Sequence, residues 1–272
     1  MLAIKNNLMA DNAARHLGNS YDALATSVER LSSGLRINSA KDDAAGLAVR
    51  ELMRADIAVI RQGARNAQDG VSMLQTMEGA MGTIDEALIR MKELAEQAST
   101  DSYSQTQRNI MNNEFQQMIS EITRIANKTE FNSVTMLNSA TGTNIIHFGV
   151  GSQITVNSVD VRAATLTGSA TAAISGADGT RARTVLGMVQ SAIETKDSAR
   201  ASLGYMMNRM QSTNAVLGIQ AENLLAAESR ISDVDVATEM AKMTRNQVLS
   251  QAGIAMLGQA NAMPQMALTL LR

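Results

Sequence analysis

Apolar residues recur alternately four and three positions apart from residue 185 to residue 227 of this 272-residue chain. The positions are Val185, Val189, Ala192, Lys196, Ala199, Leu203, Met206, Met210, Thr213, Leu217, Gln220, Leu224 and Ala227. This spacing is typical of a helix that packs against another helix in a coiled coil. At 1.5 Å per residue the stripe is about 60 Å long, which is too long for a compact domain. The polar residues Lys196, Thr213 and Gln220 interrupt the apolar seam, and we expect them to fix its register at some cost in stability.

Three further stripes with this spacing lie in the N-terminal half. They consist of Leu17, Tyr21, Leu24, Val28, Leu31 and Leu35; of Leu74, Met77, Met81, Ile84, Leu88, Met91, Ala95 and Ala98; and of Met111, Phe115, Met118, Ile122 and Ile125. A single stripe would indicate only a helix that faces a core. Four of them predict a mainly α fold, with both halves of the chain forming a long, coiled-coil-like helical rod. The absence of Trp and the use of nineteen Met residues agree with this, because aliphatic and Met side chains pack well between helices.

Breaks in the stripes predict where the helices begin and end. Two serines and a glycine at 32–34 weaken the first helix, and Ser39 precedes Asp42 by three residues, as an N-cap precedes its acidic partner. We therefore expect a second helix to start near residue 40. The predicted helices cover about 40–98, 105–128 and 183–232.

Residues 138–179 differ in composition from the rest of the chain. They are rich in Thr, Ser, Gly and β-branched residues, and the segments 145–148 and 153–157 flank Gly-Val-Gly. This pattern predicts a β-hairpin at the distal end of the rod. The chain should run out through helices, turn in this β-containing segment and return through helices, so that its two ends lie together.

Few residues could support catalysis or metal binding. The two histidines, His16 and His147, are far apart in the sequence and lack acidic neighbours at ligand spacing, and Cys is absent. A dinucleotide-binding G-x-G-x-x-G pattern begins at Gly149 but fails at Ile154. The carboxylate pairs at 42/43, 85/86 and 233/235 are interpreted as helix N-terminal or solvated acids. We expect no catalytic residue, metal or cofactor, and no enzymatic activity.

The charge pattern argues against nucleic acid and membrane partners. The 24 basic and 26 acidic residues are mixed along the chain, and neither a basic block nor a set of aromatic residues for base stacking is present. No apolar stretch is long enough to span a bilayer, and the first twenty residues contain no run of signal-peptide length. If this protein leaves the cell, a dedicated secretion machine must export it.

Several motifs, in order at both ends of the chain, closely resemble those of bacterial flagellins. In the N-terminal half they are LSSGLRIN at 31–38, DDAAGLA at 42–48, RNAQDG at 65–70, KELA at 92–95 and TEFN at 129–132. In the C-terminal half they are AENL at 221–224, AESRI at 227–231, DVD at 233–235, LSQA at 249–252 and LLR at 270–272. The resemblance covers about residues 1–160 and 185–272. The stretch between, about 160–182, is short where many flagellins carry large variable domains, so this is expected to be a short form with the two core domains alone.

The resemblance implies a structural subunit that self-assembles into the helical tube of the flagellar filament, secreted outside the cell and used for swimming motility. It implies an inner terminal domain, formed by residues 1–38 with 233–272, and an outer rod domain at 39–232. Apolar residues of the terminal helices are then the candidates for packing in the tube wall. They are Leu17, Leu24, Val28, Leu31, Leu35, Met240, Met243, Ile254, Leu257, Leu270 and Leu271.

The resemblance also implies partners besides other copies of the chain. These are an export chaperone on the C-terminal segment, the filament cap, the hook-junction proteins and the host receptors that sense flagellin in innate immunity. The receptor contact of the family corresponds here to Arg90, Leu94 and Glu114. Arg90 and Leu94 are four residues apart and off the Leu88/Met91/Ala95 seam, so we expect them to share an open helix face.

Two alternative functions stay open at this point. A hook–filament junction protein shares flagellin-like ends, although the match at 65–70 favours flagellin. A chemoreceptor signalling hairpin is also rich in Ala and Met and poor in aromatic residues. It would require an uninterrupted helical hairpin and usually a membrane anchor, and the β-like segment at 145–157 argues against it.

Overall fold

The computed structural model describes residues 7–139, 142–149, 151–167, 172–176 and 178–270, with side chains throughout these ranges except at 264, 265 and 267–270. The protein is mainly helical, as predicted. The helices are α1 (Leu8–Ser33), α2 (Ala44–Ser99), α3 (Gln105–Lys128), α4 (Ala163–Leu166), α5 (Thr180–Ser232) and α6 (Val236–Leu270). The strands are β1 (Glu130–Phe131), β2 (Val134–Thr135), β3 (Thr143–Gly149) and β4 (Ser152–Asn157).

The chain divides into two compact units. Unit 1 lies within Met1–Ile57 and Glu222–Arg272, and unit 2 is Ala58–Ala221. Helices α2 and α5 contribute residues to both units. The functional division that the family resemblance implies, at residues 38 and 233, stays a prediction.

Unit 2 has a core built from the stripes that the sequence predicts. Every residue of the 74–98 stripe is buried, and it belongs to one apolar cluster with Phe115 of α3 and with Val189 and Leu203 of α5. This burial is the main favourable term in folding for a chain with so few aromatic residues. The coiled-coil seams of unit 2 therefore form a continuous core.

Unit 1 contains the antiparallel pair of α1 and α6, which we call the terminal pair. The Asn7 Nδ2 donates to the carbonyl oxygen of Ala260 at 2.8 Å, and Ser27 Oγ donates to Glu239 Oε1 at 2.8 Å. Where α1 ends, Gly34 adopts a left-handed conformation with φ 71°, and its carbonyl oxygen accepts from the amide of Val234 at 3.1 Å. The predicted proximity of the two ends is confirmed for the described residues.

The start of α2 differs from the predicted one. Ser39 and Asp42 do interact, because the amide and hydroxyl of Ser39 both donate to Asp42 Oδ2 at 3.0 Å, but they form a turn before the helix. Asp43 accepts instead from the amide of Gly46 at 2.8 Å, as an N-cap residue does, and the helix begins at Ala44. The predicted start near residue 40 is therefore wrong by about one turn of helix.

The predicted β-hairpin is confirmed, with β3 and β4 antiparallel and His147 opposite Gln153. Val150, in the predicted turn, lies outside the described residues. The sequence analysis did not predict the shorter β1–β2 hairpin, whose turn places Asn132 and Ser133 at φ 50° and 64°. Positive φ at both central residues is characteristic of a type I′ turn.

Candidate functional site

The terminal pair exposes an unusual amount of apolar surface. Its exposed large apolar residues are Leu8, Met9, Tyr21, Val28, Val236, Met240, Val248, Leu249, Ile254, Met256 and Met266. Among the described side chains of α1 and α6, none of the apolar ones is fully buried. A stripe that is apolar but unburied marks a surface for interaction with another chain.

The buried residues of the terminal pair are polar. They are Ser27, Glu239 and Ser250, and the first two are joined by the hydrogen bond described above. Glu239 also pairs with Lys242, whose Nζ lies 3.0 Å from Oε2. Burial alone would raise the pKa of Glu239, but the hydrogen bonds from Ser27 and Lys242, with the nearby charges, lower it below its ordinary value. The bond between Ser27 and Glu239 fixes the alignment of the two helices at this point.

The residues predicted to pack in the filament fall into three groups. Val28, Met240 and Ile254 are exposed in the single chain. Six others are half-buried between the helices of unit 1 or at their ends, namely Leu17, Leu24, Leu31, Leu35, Met243 and Leu257. The side chain of Leu270 and the whole of Leu271 lie outside the described part of the chain. The role of this set in filament packing stays a prediction.

Two grooves lie along the terminal pair. One of about 510 Å³ is lined by residues that include His16, Leu17, Leu249 and Gly253. The other, of about 280 Å³, is lined by Met9, Asn12, Ala13, Met256, Gln259, Ala260 and Met263. Gly253 allows α6 to approach α1 closely, because a methyl group at that position would lie 3.1 Å from Leu17 Cδ1. Both grooves are concave and partly apolar, as surfaces that accept side chains from another molecule are.

Lys196 is the one polar residue of the long α5 seam that pairs across to another helix. Its buried ammonium group bonds to Asp85 of α2 and lies 2.7 Å from Asp197. The prediction that Thr213 and Gln220 also fix the register is wrong. Thr213 donates to the carbonyl oxygen of Arg209 in its own helix, and Gln220 is exposed.

The predicted receptor residues do not share one open face. Arg90 donates to Glu114 and Glu93, at 2.8 and 2.9 Å, and all three side chains are exposed. Leu94, however, is only 2% exposed and belongs to the core of unit 2. The apolar face of α2 is wider than a two-position seam, because it contacts both α3 and α5 and so includes positions next to Met91 and Ala95.

Arg50, Arg108 and Glu239 are buried charged residues that were not predicted from the sequence. Arg108, near the start of α3, is 2% exposed, and its guanidinium donates to the carbonyl oxygens of Ala98 and Thr100 at the end of α2. These carbonyl groups have no partner within their own helix. For Arg108, the signal in the sequence was a basic residue that soon follows the end of a helix.

Each of the predicted carboxylate pairs contains an aspartate that forms bonds within the fold. Asp85 bonds to Lys196, and Asp235 accepts from the amides of Ala237 and Thr238 at the start of α6. Within the described residues, no group of three His, Asp or Glu side chains converges in the way that a metal site requires. In the same part of the chain, none of the helices is long and apolar enough to cross a membrane.

Comparison with known proteins gives the same family at both ends. Residues 4–141 match the bacterial flagellin N-terminal helical region, and residues 186–271 match the bacterial flagellin C-terminal helical region. The chain is 42% identical over 275 residues to a flagellin of Halalkalibacterium halodurans, and 39% identical over 287 residues to the flagellar filament 33 kDa core protein of Treponema phagedenis. Each of these alignments covers 100% of both chains.

A solved structure supports the assignment. The crystal structure of Bacillus cereus flagellin superimposes with a TM-score of 0.51 at 30% sequence identity. The superposition covers 60% of this chain and 94% of that one. The two family regions, the full-length relatives and the shared fold agree, and the chain belongs to the bacterial flagellin family.

Proposed function

We propose that this chain, a structural subunit of the bacterial flagellar filament, packs against its neighbours in the filament through the terminal pair. Flagellins are structural proteins rather than enzymes, and they self-assemble into a filament outside the cell that serves motility. The full-length match gives this chain the same role.

The observation that carries the proposal is the exposure of apolar residues on α1 and α6. Val28 and Ile254 are apolar, but they are 50% and 52% exposed in the single chain. Complete burial of such a side chain is worth roughly 1.5–3 kcal/mol, so a half-exposed one still has roughly 1 kcal/mol to gain on association. Several such residues along one helix pair can together offset the loss of freedom on assembly.

The geometry of assembly follows from the use of unlike surfaces. When a patch on one subunit binds a different patch on the next and the rotation does not close a ring, the product is an open helical polymer. The terminal pair offers exposed side chains and two grooves, so one copy can supply what the next copy accepts. Subunits that pack in this way form a filament that can grow without limit.

The proposal is tested by seeded polymerisation of purified protein. Val28→Asp and Ile254→Asp each place a charge on the terminal pair, and both should prevent growth from filament seeds. Val28→Ile and Ile254→Leu keep the apolar character and should permit growth. Circular dichroism checks that all four variants remain helical. Growth of both Asp variants at the rate of the parent would show that the terminal pair is not the packing surface.

Further partners would bind the same terminal pair. We propose that an export chaperone covers the C-terminal segment before assembly, because α6 exposes Met240, Val248 and Ile254 to solvent. We propose also that the filament cap and the hook-junction proteins contact the same terminal pair, since each must take the place of a neighbouring subunit. Co-purification of a chaperone with the parent but not with a variant truncated before Val236 would support the first of these.

Recognition by the flagellin-sensing host receptor is proposed for the exposed Arg90–Glu114 pair. Leu94 is buried in the monomer, so its part would be to support α2 from within. Arg90→Ala combined with Glu114→Ala should weaken receptor activation by monomer, whereas Lys92→Ala on the same helix serves as the matched control. Unchanged activation by the double variant would remove Arg90 and Glu114 from the contact.

The two alternative functions are not favoured. The relatives that match over the full length are flagellins and filament core proteins, which argues against a hook–filament junction protein. The family match and the β3–β4 hairpin argue against a chemoreceptor signalling hairpin.

A further inference from the structure

Sulfur occurs in this chain only as methionine, with nineteen Met residues and no Cys. The structure divides these residues by their surroundings. In unit 2, Met77, Met81, Met91 and Met210 are completely buried. On the terminal pair, by contrast, Met9 is 64% exposed, Met256 is 63% exposed, Met266 is 49% exposed and Met240 is 44% exposed.

The exposed thioethers lie on the surface proposed for assembly. Met9 of α1 and Met256 of α6 line the groove of about 280 Å³, together with the half-buried Met263. Met188 of α5, which is 36% exposed, is an exposed methionine in unit 2. The susceptible sulfur atoms are therefore concentrated where a neighbouring subunit would contact the chain.

We propose that Met9, Met240, Met256 and Met266 form an oxidation-sensitive site that controls whether a free subunit can enter the filament. A hydroperoxide would be the oxidant. Its outer oxygen is transferred to the methionine sulfur, a sulfur–oxygen bond forms, and the oxygen–oxygen bond breaks. The proton of the transferred oxygen moves to the departing oxygen, so hydrogen peroxide leaves as water. The sulfur is oxidised to the sulfoxide, and the peroxide is reduced.

Oxidation changes the surface from apolar to polar. A sulfoxide oxygen is a strong hydrogen-bond acceptor, and its burial without a donor opposes association. The inference rests on the proposed packing role of the terminal pair, because only residues that become buried on assembly would have this effect. Subunits already in the filament should be protected, since their neighbours cover the same sulfur atoms.

The first experiment maps the modification. Monomer and intact filament are treated with hydrogen peroxide, and sulfoxides are located by peptide mass spectrometry. Met9, Met240, Met256 and Met266 should oxidise in the monomer well before Met77 and Met81, and they should oxidise much more slowly in the filament. Equal rates at these positions in monomer and filament would overturn the inference.

The second experiment links the modification to assembly. Oxidised monomer should need an about tenfold higher concentration to grow from seeds, which corresponds to ~1.4 kcal/mol. Methionine sulfoxide reductase should reverse the effect. The quadruple variant Met9→Leu, Met240→Leu, Met256→Leu and Met266→Leu should resist peroxide, and Met188→Leu should remain as sensitive as the parent. Each protein is compared with its own untreated sample, so that any effect of Leu on assembly cancels.

The outcomes separate this inference from the proposed function. If untreated parent grows from seeds and the quadruple variant is as sensitive to peroxide as the parent, the oxidation-sensitive site is wrong while the filament role is unaffected. If the Asp variants of Val28 and Ile254 grow normally, the packing role of the terminal pair fails first.

Discussion

Replacement of Gly63 by Ala adds one methyl group where α2 passes against the backbone of β3. A methyl carbon at Gly63 would lie 2.7 Å from the carbonyl carbon and 2.9 Å from Cα of Phe148, and closer still to the carbonyl oxygen. Phe148 is buried, and the β3 residue before it is bonded to the same helix, because Asn66 Nδ2 donates to the carbonyl oxygen of His147 at 2.9 Å. The added methyl cannot be accommodated by a side-chain rotation, so the hairpin or the helix must move.

Gly79 provides a matched control on the same helix. A methyl group there would have no atom within 4 Å. Ala in place of Gly stabilises a helix interior by about 0.8–1 kcal/mol, and both variants gain this term. At Gly63 the clash adds a cost of about 1–3 kcal/mol, as overpacking of a well-packed site does. Gly63→Ala should therefore be less stable than Gly79→Ala by about 1–3 kcal/mol, because the shared helix-propensity term cancels.

Urea unfolding followed by circular dichroism gives the two free energies of unfolding. Hydrogen exchange at the amides of β3 and β4 then reports where the structure has loosened, and protection should fall in the Gly63 variant alone. If Gly63→Ala proved as stable as Gly79→Ala and kept its hairpin amides protected, the close packing of β3 on α2 would be refuted.

Three further changes test the buried polar groups. Burial lowers the pKa of Lys196, but its bonds to Asp197 and Asp85 more than offset this and raise the pKa overall. The free energy of unfolding of the parent should therefore fall as the pH rises above the ordinary pKa of 10.5. This loss should disappear in Lys196→Met, as measured by urea unfolding at several pH values. Arg108→Lys should lower the free energy of unfolding by about 1–3 kcal/mol, because the last carbonyl groups of α2 lose their donors; an unchanged melting temperature would contradict this. Because the pKa of Glu239 is lowered, the amides of the terminal pair should lose protection from hydrogen exchange as the pH falls below 4.5. In Glu239→Gln the same amides should be less protected at neutral pH, and their protection should not depend on acid pH.

The helical pattern was predictable from the sequence because burial in unit 2 follows the heptad spacing closely. The stripe from Leu74 to Ala98 is buried at every position, and α3 and α5 end at Lys128 and Ser232, as expected. Spacing of this kind depends only on which face of a helix is apolar, so one sequence is enough to recognise it. The β3–β4 hairpin was equally accessible, because glycines separated two short β-branched segments.

The predictions failed where two residues of the same chemical type could fill one role, or where a helix packs against a second helix and so buries a wider face. Asp42 and Asp43 both follow Ser39 closely, and only the three-dimensional path of the turn decides that Asp43 caps α2. Leu94 is buried because α2 contacts more than one helix, which a two-position seam does not reveal. The sequence does not identify Asp85 as the partner of Lys196, because that pairing depends on how α2 and α5 align.

The terminal pair shows why assembly and folding need different residues in the same helices. Side-chain hydrogen bonds join α1 to α6 at Asn7, which bonds to Ala260, and at Ser27, which bonds to Glu239. Such bonds are directional, and each contributes about 0.5–3 kcal/mol, with the larger value for a charged partner such as Glu239, so they fix the alignment of the two helices. The alignment in turn decides which side chains remain outside, and these include Val28 and Ile254. On the proposed packing, the bonds that align α1 with α6 and the uncovered apolar side chains are two parts of one arrangement, in which the single chain presents a surface that neighbouring subunits would cover.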